Sequence, residues 1–244
     1  ELAYDGLPAE KRAKIELHFE DDQFDAKLAL SAYQKLVYQN HVDVLVLFGS
    51  GAGYSVLPAA SREGKTSFIF TVDPKVTAGQ QSAFRIALEA DTQATLLDAL
   101  LQKRGIRRVA LLSTANEAML QYTKTMKEVI ERRGGEVGYN QDFTKGEQDF
   151  KTALLSISQK HADATVVSLL PPSLSAFLKQ RREALPKLPS FGYAQVENAP
   201  EIAASQGAAD GTIFSGLALT PEFKARYRAK FHDEAGSFAG YTYE

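Results

Sequence analysis

The chain has 244 residues, of which 44% are hydrophobic and 24% charged, an ordinary globular composition that fits one large domain or two smaller ones. A net charge of −2, from 28 basic and 30 acidic residues, argues against nucleic acid as a partner. No apolar run approaches the roughly 20 residues of a membrane span. Cysteine is absent, which excludes disulfides and thiolate chemistry, and the four histidines lack the spacing of a zinc site.

The first elements alternate between strand and helix. Lys14 to Glu20 alternates polar and apolar residues, which predicts a strand with one wetter face. Asp25 to Gln39 carries apolar residues, Leu28 among them, at helical spacing behind an aspartate that can cap the helix. Val42 to Phe48 is almost continuously apolar, the pattern of a strand that is buried on both faces.

A glycine run follows that last strand. Glycines occupy positions 49, 51 and 53, and Ser55 to Arg62 then has a helical pattern. We expect Gly49 to Gly53 to form a loop at the N-terminus of this helix, where unpaired amides can bind an anion. Ser50, Ser55 and the amides of Gly51 to Gly53 would hold a carboxylate there, although the same glycines also suit a tight connection without a ligand.

The glycine run matches no named motif. A Walker loop needs a lysine followed by serine or threonine, and a dinucleotide fingerprint needs its third glycine later in the run. A nucleophile elbow needs a serine at the centre of G-x-S-x-G. The binding interpretation therefore depends on the expected geometry of the loop and not on a motif.

The alternation restarts in the second half of the chain. Lys65 to Phe70 predicts a strand, Val72 to Ser82 is irregular, and Phe84 to Leu88 is a short extended piece. A second series begins at Asp91, so we place a boundary near Arg85. Its predicted helices are 94–103, 119–133, 148–159, 173–185, 200–206 and 221–232. The predicted strands between them are 108–112, 136–139, 164–170, 189–193 and 211–214. This alternation predicts an α/β fold with parallel sheets covered by helices.

Both ends of the chain are abrupt. Glu1 to Leu7 has the pattern of the last turns of a helix, and Phe238 to Glu244 that of the opening of an element that is cut short. We therefore expect a strand that precedes Glu1 in the fold to come from a longer protein or from another chain. Without it, neighbouring strand edges lose a partner, so we expect the isolated chain to aggregate and to bind ligand poorly.

Six segments, in this order, carry a resemblance to a known family: I-E-L-H-F-E-D-D-Q-F-D (15–25), A-L-S-A-Y-Q-K-L-V (29–37), V-D-V-L-V-L-F-G-S-G (42–51), K-R-G-I-R-R-V-A-L-L (103–112), F-T-K-G-E-Q-D-F-K-T-A-L (143–154) and T-P-E-F-K-A-R-Y-R-A-K-F (220–231). The series resembles the type I periplasmic binding proteins, specifically the branched-chain amino-acid-binding family that serves ABC importers. The resemblance covers nearly the whole chain.

The resemblance implies two doubly wound, Rossmann-like lobes with mostly parallel sheets, joined by three crossovers, with a small ligand in the cleft between them. The first lobe would comprise residues 1–85 and 219–244, and the second residues 86–218. It further implies a periplasmic or extracytoplasmic solute-binding protein that delivers a small molecule to the permease of an ABC transporter. Such a protein has no enzymatic activity and needs no cofactor or metal.

The resemblance also assigns ligand-binding residues in the first lobe. In this family the loop after the third strand holds the ligand's carboxylate through hydroxyls and amides, and the loop after the next strand adds a further contact. These two loops correspond here to Ser50, Gly51, Ala52, Gly53 and Tyr54, and to Thr71, Val72 and Asp73.

The second-lobe positions depart from the family pattern. Ala118 stands where an aromatic residue and a glycine are frequent, Leu170 where an aromatic residue contacts the ligand, and Gln195 where an acidic residue pairs with the ligand's ammonium. Asn116 ends a loop after a buried strand, which also places it in the predicted site. Because an unpaired buried ammonium costs several kcal/mol, an aromatic or aliphatic acid fits about as well as an amino acid.

Two other classes of function compete with that of a binding protein. An enzyme would need a nucleophile and a base, and the candidates His161 and His232 do not follow a buried strand, where catalytic groups of such sheets gather. A ligand-sensing regulator with the same two-lobed core, as in lac-repressor-type or amide-sensing proteins, stays the alternative function; a DNA-binding headpiece would settle it, and these 244 residues carry none.

Overall fold

The computed structural model describes residues 1–86 and 89–241. Its α-helices, numbered along the chain, are α1 (Leu2–Asp5), α2 (Ala9–Arg12), α3 (Ala26–Tyr38), α4 (Ser50–Arg62), α5 (Ala90–Lys103), α6 (Glu117–Arg132), α7 (Lys151–Gln159), α8 (Ser173–Ala184), α9 (Ala199–Ala204), α10 (Pro221–Phe231) and α11 (Ser237–Tyr241). Its strands are β1 (Val44–Phe48), β2 (Thr66–Phe70), β3 (Ala83–Arg85), β4 (Arg108–Thr114), β5 (Glu136–Phe143), β6 (Ala164–Ser168), β7 (Ser190–Gly192) and β8 (Ile213–Phe214). Short 3-10 helices cover Pro74–Thr77 and Ala194–Glu197.

The chain divides into two compact units. The first comprises Glu1–Glu89, Thr220–Ala235 and Ala239–Glu244, and the second comprises Ala90–Leu219 and Gly236–Phe238. In the first unit, β1, β2 and β3 form a parallel sheet in that order. In the second unit, five parallel strands are ordered β5-β4-β6-β7-β8. The predicted α/β class with parallel sheets is confirmed.

The start of α3 is as the sequence predicts. The Asp25 carboxylate accepts hydrogen bonds from the N–H groups of Lys27 and Leu28, which would otherwise lack a partner. The helix packs on Leu45 of β1 and on α4 through one buried stripe, Ala29, Tyr33 and Val37. Leu28, which the sequence pattern placed inward, is 43% exposed because it lies one position away from this stripe.

The strand predicted at Lys14 to Glu20 is wrong. This segment has no regular secondary structure, and its apolar residues Ile15, Leu17 and Phe19 are exposed. Alternation describes only which side chains could share one face. A strand also needs a hydrogen-bonded neighbour, and the described sheets provide none for this segment.

The expectation that Val42 to Phe48 is buried on both faces is also wrong. The strand β1 occupies the core of this stretch, and its Leu45 is buried, but Val44 and Val46 are 51% and 67% exposed. Among the described residues β1 pairs only with β2, so it is an edge strand with one covered face. An apolar run therefore identified the strand correctly but not its place in the sheet.

The second unit is built around β4 and β6. All five residues of β6 and six of the seven in β4 are buried. On one side α7 and α8 cover the sheet, with the rings of Phe150 and Phe177 packed edge to face at 5.5 Å. The strand β4 continues through Thr114, two residues beyond the strand predicted at 108–112, so Ser113 lies in the strand.

A buried ion pair fastens α5 to the turn after α6. Arg133 Nε lies 2.6 Å from Asp98 Oδ1, and the Asp98 side chain is 3% exposed. Gln102 Nε2 donates to the other carboxylate oxygen at 2.8 Å, and Arg133 also donates to the carbonyl of Ile106 at 3.0 Å. These bonds tie α5, α6 and the segment before β4 together.

Two sequence predictions extend outside the described residues. The extended piece predicted at 84–88 overlaps β3, and its residues 87 and 88 lie outside the described part of the chain. The element predicted from residue 238 overlaps α11, and residues 242–244 lie outside the description as well. Across the residues that are described, no helix has the length and apolar character needed to cross a membrane.

Candidate ligand site

The glycine run begins a helix instead of forming a loop. Helix α4 starts at Ser50, five residues earlier than the sequence predicts, and Gly49 is its N-cap with a φ of 97°, a conformation that favours glycine. The N-cap offers no side-chain hydrogen bond. The N–H groups of Ser50, Gly51 and Ala52 therefore have no intrahelical partner. They form the kind of helix N-terminus that can bind an anion, and the run of unpaired amides begins at Ser50, one residue earlier than the predicted Gly51 to Gly53.

Gly53 differs from the neighbouring glycine positions. Its N–H donates to the carbonyl of Gly49 at 3.1 Å, so the expectation of an unpaired amide at Gly53 is wrong. A Cβ added to Gly53 would lie 2.3 Å from Val76 Cγ1 and 2.4 Å from Ile69 Cδ1. This glycine therefore allows α4 to pack closely against β2 and the adjacent 3-10 helix, and its own role in ligand binding stays a prediction.

The two loops predicted to form the site meet at a pair of buried hydroxyls. Ser50 Oγ and Thr71 Oγ1 are 2.7 Å apart, and the two residues are 1% and 2% exposed. The N–H of Asp73 donates to Thr71 Oγ1 at 3.2 Å. Val72, which stands between Thr71 and Asp73 in the sequence, is also buried. Because Ser50 starts α4 and Thr71 follows β2, the hydroxyl pair lies beside the unpaired amides of the helix.

Tyr54 and Asp73 form a second hydrogen-bonded pair in the same place. Tyr54 OH donates to Asp73 Oδ2 at 2.6 Å, and Asp73 Oδ1 accepts from the N–H of Lys75 at 3.0 Å, which caps the first 3-10 helix. Burial, followed by the hydrogen bond to Asp73, raises the pKa of Tyr54 to about 12. The phenol is therefore a hydrogen-bond donor throughout the physiological pH range.

Three phenylalanines flank this corner of the first unit, and sequence reasoning missed them. Phe24 meets the ring of Phe48 edge to face at 5.4 Å, and Phe48 stacks on Phe70 at 5.7 Å. The Phe24 ring lies 3.4 Å from where a Cβ of Gly49 would be. The pairing of Phe48 with Phe70 could have been found, since each ends a predicted strand. Phe24 lies in a turn in which both it and Gln23 have positive φ, and no sequence pattern indicated that conformation.

The candidate residues of the second unit share one edge of its sheet. Asn116 follows β4, Leu170 follows β6 and Gln195 follows β7, and these strands are parallel neighbours. Their carboxyl ends therefore lie side by side, which is where ligands bind in open α/β sheets. The N–H of Leu170 donates to Thr114 Oγ1 at 2.9 Å, which links two of these connections.

Several side chains on this edge already have internal partners. Asn116 Oδ1 accepts from the N–H of Ala118 at 3.1 Å and caps α6. The buried Gln195 donates through Nε2 to the carbonyl of Val167 at 3.2 Å. Glu197, the acidic residue two positions after Gln195 in the sequence, accepts a hydrogen bond from the N–H of Ser237 at 2.6 Å. The contribution of these residues to a ligand site stays a prediction.

A family model described as "Periplasmic binding protein" matches residues 9–244. The chain belongs to the periplasmic binding protein family. The recognition of a type I periplasmic binding protein from sequence is therefore confirmed, and with it the solute-binding class of the protein. No curated protein matches the chain.

Solved structures of this class share the fold. LivJ, the branched-chain amino acid transporter substrate-binding protein of Streptococcus pneumoniae, in complex with isoleucine, is 24% identical over 99% of this chain and 73% of its own, with a TM-score of 0.86. LivK, a leucine-binding protein of Thermotoga maritima, is 18% identical over 93% and 68%, with a TM-score of 0.86. A solute-binding protein of an ABC transporter from Rhodopseudomonas palustris, in complex with 3,4-dihydroxybenzoic acid, is 19% identical over 94% and 66%, with a TM-score of 0.78. The chain thus spans about two thirds to three quarters of these relatives.

In this periplasmic binding protein, the two histidines considered as catalytic candidates lie at the ends of helices. His161 and His232 both follow helices, α7 and α10, and both adopt the left-handed conformation that ends a helix. Among the described residues, no group of three or more histidine, aspartate or glutamate side chains could hold a metal ion. In the described part of the first unit, Ser50 and Thr71 form the only buried hydroxyl pair beside unpaired helix amides.

Proposed function

We propose that this periplasmic binding protein is the extracytoplasmic solute-binding component of an ABC importer and that it holds its ligand by a carboxylate at the N-terminus of α4. We further propose that the two units are the two lobes predicted from the sequence and that the permease of the transporter is the partner. Family membership and the transporter-associated structures support this role.

The observation that carries the proposal is the beginning of α4. Three consecutive unpaired N–H groups, at Ser50, Gly51 and Ala52, stand beside the hydroxyls of Ser50 and Thr71. Amides and hydroxyls that converge on one point can donate to both oxygens of a carboxylate, and the helix dipole favours a negative charge there. Both hydroxyls are buried, so bonds to the ligand would be sheltered from water.

The class of ligand is proposed from the relatives together with this geometry. The ligands named for similar structures are isoleucine, 3,4-dihydroxybenzoic acid and benzoate. All three carry a carboxylate, while only isoleucine carries an ammonium. A carboxylate anchor is therefore the feature that they share, and it is the feature that the start of α4 is equipped to bind.

Replacing Ser50 by alanine is expected to weaken carboxylate binding about tenfold, which corresponds to about 1.4 kcal/mol. The change removes one donor and leaves the Thr71 hydroxyl without its neighbour. Affinity is measured in the full-length protein by isothermal titration calorimetry with L-isoleucine and with benzoate.

The sequence analysis also placed Ser55 at the carboxylate, but the structure puts it more than one turn inside α4, where its hydroxyl donates to the carbonyl of Ala52. We therefore leave Ser55 out of the proposed anchor and use Ser55→Ala as the matched control. We expect Ser55→Ala to bind like the unmodified protein. If both variants bind with unchanged affinity, or if both lose the same amount, the assignment of Ser50 to the carboxylate is wrong.

A further inference from the structure

The last residue of β4, Thr114, is bonded to both of the connections that follow β4 and β6. Its hydroxyl oxygen accepts the N–H of Leu170 at 2.9 Å, and its carbonyl oxygen accepts the N–H of Asn116 at 2.7 Å. The Ser113 hydroxyl donates to the same carbonyl at 3.1 Å. Thr114 is fully buried, so these bonds are sheltered from water. It therefore acts on a ligand only through the residues that it holds.

The connection from β6 to α8 has few backbone donors of its own. It consists of residues 169–172, Leu-Leu-Pro-Pro, and the two prolines have no N–H group. Leu170 is therefore one of only two residues in this connection that can donate from the backbone, and Thr114 supplies its acceptor. Because β4 is the neighbour of β6, this bond ties the connection to the adjacent strand of the sheet.

Such a tie matters for binding because a connection that is not fixed beforehand must be ordered when a ligand arrives. Ordering it at that moment lowers the affinity, whereas a preorganised connection avoids this loss. Without the Thr114 hydroxyl, the half-buried Leu170 would have an N–H group that lacks its acceptor. The connection would then favour other conformations in which water accepts from this N–H, and Leu170 would leave its place at the edge of the sheet.

We propose that Thr114 is a positioning residue of the ligand site, which fixes the connection between β6 and α8, and with it Leu170, without touching the ligand. The inference rests on the proposed function, because it takes Leu170 to line the site. It adds a residue that belongs to a strand and is buried, in contrast to the loop residues that the sequence assigned to the ligand.

Three variants separate this role from a general contribution to stability. Thr114→Val removes the hydroxyl and keeps a branched side chain of similar shape, while Thr114→Ser keeps the hydroxyl and should preserve the bond. Thr165→Val is the matched control. Thr165 lies on β6, is equally buried, and its hydroxyl is 2.9 Å from that of Ser190, but this pair lies at the start of the strands, away from the connection to α8.

The first measurement is hydrogen–deuterium exchange of the full-length protein without ligand, resolved at the Leu170 amide by mass spectrometry with electron-transfer fragmentation. In the unmodified protein we expect this amide to exchange at least tenfold more slowly than in an unstructured peptide. Thr114→Val should speed its exchange about tenfold, whereas Thr114→Ser and Thr165→Val should leave it close to the unmodified rate.

The second measurement is the affinity of the same four proteins for L-isoleucine and for benzoate, by isothermal titration calorimetry. We expect Thr114→Val to bind about tenfold more weakly than the unmodified protein. Thr114→Ser and Thr165→Val should stay within about twofold of the unmodified affinity. Urea denaturation of Thr114→Val and Thr165→Val should show similar losses of stability, because each variant loses one buried hydrogen bond.

Four results would overturn the inference while the carboxylate anchor stands. An unprotected Leu170 amide in the unmodified protein shows that the tie does not exist, and this result needs no variant. Unchanged exchange in Thr114→Val leads to the same conclusion. Faster exchange with unchanged affinity shows that the tie does not serve binding, and an equal loss of affinity in Thr165→Val shows a general effect of stability. Failure of the unmodified protein to bind either ligand refutes the carboxylate anchor and the inference together.

Discussion

Replacing Arg133 by alanine is expected to lower the free energy of unfolding by about 3 to 5 kcal/mol. The change leaves Asp98, whose side chain is 3% exposed, with a charge and, among the described residues, only Gln102 as a side-chain partner. It also removes a donor from the carbonyl of Ile106. Urea denaturation followed by circular dichroism measures the loss.

The matched control for this prediction is Arg108→Ala. Arg108 pairs with Glu136 at 2.7 Å in the same unit, but the two side chains are 39% and 58% exposed. Solvent-exposed pairs contribute at most about 1 kcal/mol, so the control should lose much less stability than Arg133→Ala. Equal losses in the two variants would show that the Asp98–Arg133 pair is not the buried anchor that its geometry indicates.

Replacing Gly53 by alanine is expected to lower the free energy of unfolding by about 1 to 3 kcal/mol, as overpacking of a close contact does. The added methyl group would stand within 2.4 Å of carbon atoms on Val76 and Ile69. Relief requires the Val76 and Ile69 side chains to rotate or α4 to move away from β2, and such a movement of α4 would separate Ser50 from Thr71. We therefore expect Gly53→Ala to weaken carboxylate binding as well.

Gly6→Ala provides the comparison for Gly53→Ala. Gly6 has a φ of −74°, which alanine adopts without strain, and the nearest atom to an added Cβ would be 3.4 Å away. Urea denaturation of both variants should show a loss only for Gly53→Ala. A stable Gly53→Ala variant with unchanged ligand affinity would contradict the role of this glycine in close packing.

Local signals in the sequence predicted the elements whose cause is local. Asp25 marks the start of α3 because an aspartate side chain caps the first turn of a helix, and the structure shows those bonds. The buried strands β4 and β6 were predicted from short apolar runs. Such features depend on a few consecutive residues, so a single sequence contains what is needed to find them.

Features that depend on distant neighbours were not predictable in the same way. Lys14 to Glu20 has the alternation of a strand but no strand beside it, and the apolar Val46 is exposed at an edge. The sequence pattern predicts Gly53 as a ligand contact, but it does not show that the small size of this glycine allows close packing against Val76 and Ile69. Sequence alone does not show which of these neighbours a residue will meet.

The candidate site was predicted in outline and corrected in detail. Family resemblance selected Ser50, Thr71 and Asp73, and the structure brings the three into one hydrogen-bonded group. Family resemblance does not show that α4 begins at Ser50, nor that the Phe24 ring approaches Gly49 from a separate turn. Nor did the pattern indicate that the amide of Gln195 donates to the backbone of β6, because that contact joins residues 28 positions apart.

Native mass spectrometry of the full-length protein with carboxylic acids and their matching primary amides tests the central claim, that the ligand is held by a carboxylate at the start of α4. The set comprises L-isoleucine, L-phenylalanine and benzoate, each offered beside its amide at equal concentration. The account predicts a one-to-one complex with at least one acid, no complex with the corresponding amide, and a weaker complex in Ser50→Ala. Amides that bind as well as their acids, or a Ser50→Ala variant that retains the full complex, would contradict it.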